Sequence, residues 1–566
     1  MQRNSKFRVA LFLPTLLVLL AMLVSACGGG SDSNSGTIAP ADKQVFRYPE
    51  AGIDDFGTLD PALVQSASDA YALQTVFTGL VQFKDDGTVV NQLAASMPTV
   101  SKDGLTYSFT LKPGLKFSDG SPLTANDVAY SINRAIIPAT KSTVSGYLSL
   151  LKDYDKVNKG KIPSAIGDSI IVKDDTHLDL IISKPAAYFL QTLTYPTSYV
   201  VNKKVIDKYG DKWTDHLDEG AGDGPFKVSS YQHNKMLEVV ANSNYYGQQP
   251  KLQKIQFTFS GDVDTTYKAF QSNQYDYAGV PAANLDEAKD RKDFHQTPAL
   301  VIRYLAMNYL SKPFDDINVR KAFALAIDKD LLVQSVLKGA VTPTNHLIPQ
   351  GMPGYNAGLK GPDGTTSTKA NVNAAKQALA ASSYGSAAKL PPITFTYYTG
   401  NNTIKNLVTA LQQQWQDVLG VQVKTTAVEF SKLISLSDAT TNNAGPLQMW
   451  ITGWQADYVD PQDWLGVFFE KDADSNSFNY GQNNGASAAQ QQAVQAQLAK
   501  ADVTQDQAER LKLYNEAEQK IVNDLGWIPL YQSKAITLIN PKLHGFVDNP
   551  LGITAPDSWA NIYFVQ

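Results

Sequence analysis

One cysteine in 566 residues, Cys27, is the feature that most limits how this chain can fold. Without a second thiol there is no internal disulfide, so the folded part must hold together by burying apolar surface. A chain of this length exceeds what one hydrophobic core usually supports, and at least two bodies are expected. Apolar residues at 43% and charged ones at 18% are enough to fill such cores in the ordinary globular way.

The place of that cysteine sets the compartment. Arg3, Lys6 and Arg8 open the chain, and an apolar run from Val9 to Val24 follows, broken only by Pro14 and Thr15. A basic opening before a short apolar core is the secretory pattern, and the run is short for a membrane span. It ends in Leu23-Val24-Ser25-Ala26-Cys27, which resembles the bacterial lipobox, where the cysteine is acylated and becomes the first residue. Residues 1–26 are therefore expected to be a lipoprotein signal peptide, with Cys27 the lipidation site. Residues 27–44, beginning with a Gly/Ser/Asn/Asp stretch, are expected to be a flexible tether. Loss of Arg3, Lys6 and Arg8 takes the formal charge from −5 to −8, with no basic run left, so a nucleic-acid partner is not expected.

Periodicity places the main elements. Tyr107, Phe109 and Leu111 alternate with Ser108 and Thr110 as in a half-buried strand, and Leu115-Lys116-Phe117 is expected to start a second. Thr124 is the expected N-cap of a helix presenting Val128, Ile132, Ala135 and Ile136 and stopping before Pro138. Further helices are expected after Asp315-Asp316, from Asp328 to Gly339, and through Leu407, Leu411 and Trp415. A last long helix has Thr504 three residues before Gln507, a capping-box spacing. Strands are expected at Ile393–Tyr398, Val421–Val428 and Trp527–Leu538. The sum is an α/β chain without strict βαβ alternation.

Catalytic motifs are lacking. There is no phosphate loop and no Gly-x-Ser-x-Gly elbow, and the nearest two of six histidines are 17 residues apart, so no local metal motif exists. Gly220-Ala221-Gly222-Asp223-Gly224-Pro225 imitates a dinucleotide loop, but Pro225 blocks the helix such a loop must open, leaving a turn. No enzyme activity, cofactor or metal is expected.

The segment Leu105–Asn133, including Leu111-Lys112-Pro113-Gly114-Leu115-Lys116-Phe117-Ser118-Asp119-Gly120 and Asn126-Asp127-Val128, closely resembles the signature of family 5 extracellular solute-binding proteins. These are the peptide- and nickel-binding components of ABC importers. Gly79-Leu80-Val81-Gln82-Phe83, Asp223-Gly224-Pro225-Phe226-Lys227, Asn242–Lys254 and Asn318–Lys329 resemble further family elements, so the likeness spans nearly everything after the tether. It implies an α/β, two-lobed fold of the periplasmic-binding-protein kind (class II type, with an extra subdomain in lobe one) and a ligand cleft between the lobes. Lobe one would comprise residues 45–300 plus 533–566, and lobe two residues 301–532. It also implies a monomer, anchored by lipid outside the cytoplasm, that passes a di- or oligopeptide to membrane permease subunits. A nickel complex, an oligosaccharide or another amine-bearing solute fits the same fold. An exported hydrolase or a scaffolding lipoprotein is the alternative of a different class.

Gly453-Trp454-Gln455-Ala456-Asp457-Tyr458 is similar to the element whose aspartate, in peptide-binding members, holds the ligand's α-ammonium group, a role that passes by position to Asp457. Asp460-Pro461-Gln462-Asp463 already supplies a helix cap, which leaves Asp457 without that duty. Trp454 is expected to offer a rigid aromatic wall. Tyr531 resembles a cleft-facing tyrosine near the second hinge crossing.

Overall fold

The computed structural model describes residues 36–399, 402–471, 473 and 475–566. The expected signal peptide, Cys27 and the first part of the tether lie outside them. The rest of that tether is packed: Ile38 bridges Val565, and the buried Gln44 side chain donates to the carbonyls of Ala39 and Phe564, both at 2.9 Å.

The strands Val45–Glu50, Lys254–Phe259, Met236–Ala241 and Phe226–Gln232 form one sheet in that order. Its core includes Phe46, Phe226, Phe257 and, from the far end of the chain, Trp559 and Ile562, so both ends of the chain build one body. Beside it stands a second four-stranded sheet that includes Thr106–Thr110 and His177–Ile181, covered by the helix Ala125–Ile136. That helix starts where its sequence predicts. The Asp127 carboxylate accepts from Thr124 N–H at 2.8 Å and Thr124 Oγ1 at 2.9 Å, closing a capping box. Val128, Ile132, Ala135 and Ile136 are all fully buried, and extended backbone at Ile137, before Pro138, ends it.

The largest sheet lies in the middle of the fold. Its order is Tyr277–Gly279, Ile528–Ile539, Phe294–Met307, Met449–Gln455, Ile393–Tyr398 and Val423–Val428, with Val341–Pro343 also pairing with Ile528–Ile539. Phe294–Met307 runs against both its neighbours, and Ile393–Tyr398 runs parallel to Met449–Gln455 and Val423–Val428. Four strands therefore run one way and deliver their carboxyl ends toward one edge of this body, where ligands of α/β folds bind. The two long strands pass on together: Phe294 to Pro298 pair with Leu538 to Lys534, and the ladder slips between Pro298 and Ile302.

Three sequence expectations need correcting. Leu115-Lys116-Phe117 forms no strand. Glycines at φ 72° (Gly114) and 88° (Gly120) turn the chain twice, leaving one isolated Lys116–Pro122 bridge. The helix after Asp328 covers Lys329–Ser335 only, and left-handed Gly339 donates back to the Val333 carbonyl at 3.0 Å. Thr504 is not an N-cap. It ends a helix, Ala488–Val503, that sequence reading missed, and its hydroxyl donates to Lys500 O at 2.8 Å. The cap of Gln507–Asp524 is Asp506, which accepts from Glu509 N–H at 2.8 Å. The Gly222-Asp223-Gly224 segment is the expected turn: a Cβ on Gly222 would lie 2.1 Å from Val76 O, so only glycine admits this approach.

Candidate ligand-binding site

The strand Met449–Gln455 stops at the ligand edge of the large sheet. Val301 faces Gln455 in the ladder, Ala456 N–H donates to Leu300 O at 2.9 Å, and Asp457 follows. The chain then turns into the helix Gln462–Phe469, whose first amide is met by Asp460 Oδ1 at 2.9 Å. Asp463, in that helix's first turn, reaches back: its Oδ2 accepts from Asp457 N–H at 2.9 Å and Trp454 Nε1 at 3.4 Å. Asp463 thus fixes the backbone that presents Asp457.

Asp457 lines a cavity of about 350 Å³, within the usual range for small-ligand sites. One wall comes from Trp454, Asp457, Gln462, Asp463 and Val467; the other comes from Thr143–Leu150 together with Tyr188 and Thr192, about three hundred residues earlier. Around it the two bodies touch. Ala187 N–H donates to Asp502 O at 3.0 Å, Tyr188 and Tyr458 lie parallel at 6.4 Å, and Val459 packs on Gly87.

Electrostatics single this cavity out. Burial raises the Asp457 carboxyl to about 6, against a hydrogen bond from the Tyr147 hydroxyl that favours the ionised form. Asp463 is 1% exposed and is pushed well above the carboxylate range by burial and then by the Asp457 charge, and its Oδ1 has no hydrogen-bond partner. Among the described residues no lysine, arginine or histidine pairs with either acid. Tyr147 stacks on Tyr195 at 3.7 Å and meets Tyr458 edge-on at 6.5 Å, giving the anionic spot an aromatic rim. Such a pocket can accept a cationic, hydrogen-bond-donating group with an apolar neighbour.

Of the three ligand residues read from sequence, the structure brings Asp457 and Trp454 to this cavity. Trp454 packs edge-on against Phe468 at 4.9 Å. Tyr531 lies elsewhere, 7% exposed in the large sheet opposite Arg303 and Pro343. Tyr147, Tyr188 and Asp463 were not anticipated as site residues. The Pro461-Gln462-Asp463 pattern did show an acid in a first helical turn, but not that it faces backward. Among the described residues no cluster of histidine, cysteine, aspartate and glutamate could hold a metal, and no helix is long and apolar enough to cross a membrane.

Comparison with known proteins places this geometry. The oligopeptide-binding protein OppA of Bacillus subtilis (strain 168) is 26% identical over 527 residues, covering 91% of this chain and 93% of that one. The dipeptide-binding protein DppE of the same organism is 29% identical over 509 residues, 88% of each. The unliganded open form of the periplasmic murein tripeptide binding protein MppA superposes with a TM-score of 0.76 at 24% identity, over 94% of this chain and 99% of that one, and so shares the two-lobed periplasmic-binding-protein fold. A model of the bacterial extracellular solute-binding proteins, family 5, matches residues 88–476, well over half of the sequence. The chain belongs to that family of solute-binding components.

Proposed function

We propose that this protein is the extracytoplasmic receptor of an ABC importer, capturing short peptides and handing them to a membrane permease. The observation that carries the reading is a solute-sized cavity whose carboxylate, Asp457, pairs with no lysine, arginine or histidine among the described residues. A peptide α-ammonium would supply the missing charge and donate to it, while Trp454 and the tyrosines take a first side chain without demanding one shape. The names of the relatives OppA and DppE support peptides as the ligand class.

Lobe one is assigned to residues 45–300 and 533–566 and lobe two to residues 301–532. The slip between Pro298 and Ile302 supports this division, because two paired strands interrupted there can flex with little local distortion. Cys27 is assigned as the lipid attachment that keeps a monomer at the cell membrane, in the periplasm or on the outer face of the cytoplasmic membrane, on the strength of its lipobox-like setting.

Thermal unfolding with a peptide library tests the ligand assignment. A ligand at a hundred times its Kd stabilises by about 2.7 kcal/mol. The expected result is a rise in Tm with some peptides that Asp457→Ala abolishes. Peptide turnover would indicate a hydrolase instead, and silence toward every solute class a scaffold.

A further inference from the structure

A second solute-sized cavity, of about 410 Å³, opens at the opposite end of the large sheet from Asp457. Met449 begins the strand that Gln455 ends, and it pairs with Met307. Tyr309, just beyond Met307, donates from its hydroxyl to Asp524 O at 3.0 Å, and Asp524 lines the cavity. The length of that strand, about 20 Å, thus separates the cavity from the ligand edge.

Its walls come from three helices and one tyrosine. Ile317 opens the helix Ile317–Leu325, Ala493 and Val494 belong to Ala488–Val503, and Lys520 and Asp524 belong to Gln507–Asp524. Tyr480 also lines it. That residue is fully buried against Tyr309 and Phe469, and its hydroxyl has no hydrogen-bond partner. A buried hydroxyl in that state is a cost that a bound polar group relieves.

Lys520 and Asp524 stand one helical turn apart, where opposite charges ordinarily pair. Here they turn away from each other. Lys520 Nζ reaches Gln497 Oε1 at 2.6 Å, and Asp524 faces Arg320, whose Nη2 lies 3.8 Å from Oδ1, too far for a hydrogen bond. Burial raises the Asp524 carboxyl, and Arg320 with the side chains of Gln491 and Ser487 offsets this only in part. The cavity therefore holds a cation and an anion that do not satisfy each other, an unused hydroxyl, and an apolar wall.

We propose that this cavity is a second solute site, separate from the cleft, for a free α-amino acid with a short aliphatic side chain. The ammonium group donates to Asp524 and to the Tyr480 oxygen, and the carboxylate accepts from Lys520. The side chain lies on Ile317, Ala493 and Val494. A simple amine would be repelled by Lys520 and a simple acid by Asp524, so a zwitterion fits where either alone does not.

Calorimetric titration of the full-length Asp457→Ala protein with L-leucine, N-acetyl-L-leucine and L-leucinamide tests this with the cleft acid removed. Leucine should bind one-to-one, as it does at this site in the wild-type protein, and acetylation or amidation should each weaken it about tenfold. Lys520→Gln, an exposed change, should erase the difference between leucine and its amide, and Tyr480→Phe should weaken leucine while leaving that difference in place. No saturable binding of leucine by the Asp457→Ala protein overturns the proposal, and so does binding that neither Lys520→Gln nor Tyr480→Phe alters. Should Tyr480→Phe unfold, Lys520→Gln decides alone. None of these outcomes bears on peptide capture at Asp457.

Discussion

Asp457 and Asp460 are three residues apart, Asp460 buried and Asp457 partly so at the cavity, and they live in opposite electrostatic circumstances. Asp460 is gripped by Arg510, whose two Nη atoms lie 2.7 and 2.5 Å from its oxygens, with both side chains essentially unexposed. Tyr514 packs on that guanidinium, and its hydroxyl continues the chain of hydrogen bonds to Asp502. Asp457 has a tyrosine hydroxyl and a second acid for neighbours. One acid was given its cation by the fold; on the peptide reading proposed above, the other receives one from the ligand. A buried charge left unpaired lowers stability, and a site whose residues are kept in that condition binds by relieving it.

The largest expected effect breaks the satisfied member. Arg510→Ala strands Asp460 in the interior and should cost about 3–5 kcal/mol in denaturant unfolding. A loss under about 1 kcal/mol would mean that Asp460 is as self-sufficient as Asp457, and the contrast would disappear. Asp457→Asn should do the reverse, leaving the ligand-free protein as stable or more stable. It should weaken peptide binding by about 2–5 kcal/mol, measured by calorimetry; if the substitution destabilises the free protein instead, the acid has a structural duty.

Acidity sharpens the same contrast through its sign. The Asp457 carboxyl sits at about 6 in the folded protein against an ordinary 3.8, so between these values the folded state holds the extra proton. Stability from this group is thus present below about pH 4 and is lost as pH rises through 6, by at most about 3 kcal/mol. Affinity for an ammonium group should move oppositely, falling as pH drops below 6. The difference between wild-type and Asp457→Asn unfolding curves from pH 4 to 8 isolates the term from the other buried acids. A flat difference would show that the carboxyl is not desolvated. The smallest effect is a control away from both acids. Thr124→Ala removes a capping box and should cost about 1 kcal/mol without changing affinity. A changed affinity would show that the helix Ala125–Ile136 bears on the cavity.

What sequence revealed and what it hid divide along physical lines. The helix Ala125–Ile136 was legible because its cap and its buried face are local and periodic, and the starts of the helices after Asp316 and Asp328 were legible for the same reason, though not the end of the second. Ala488–Val503 was not: its alanines and glutamines carry no apolar stripe, and even its buried Gln491 and Gln495 look polar on the page. Thr504 was misread because two helices meet with only a short link, so a residue ending one looks like a start of the next. Asp457 could be located through its resemblance to a family element. Tyr147 could not, because only the closing of two bodies brings residue 147 to residue 457, and nothing local records that distance.

The Gln566 amide donates to Thr37 O at 3.0 Å, and Ala39 donates to Phe564 O at 2.9 Å, so the first described residues and the last share one small patch. A brief glycine-rich linker could close the backbone into a ring there, and the ring could be reopened at the exposed Lys102–Asp103 turn without disturbing a sheet. It follows that any reporter fused after Gln566 emerges beside whatever precedes residue 36. A permuted version would carry the reporter on the side sheet instead, clear of that shared exit.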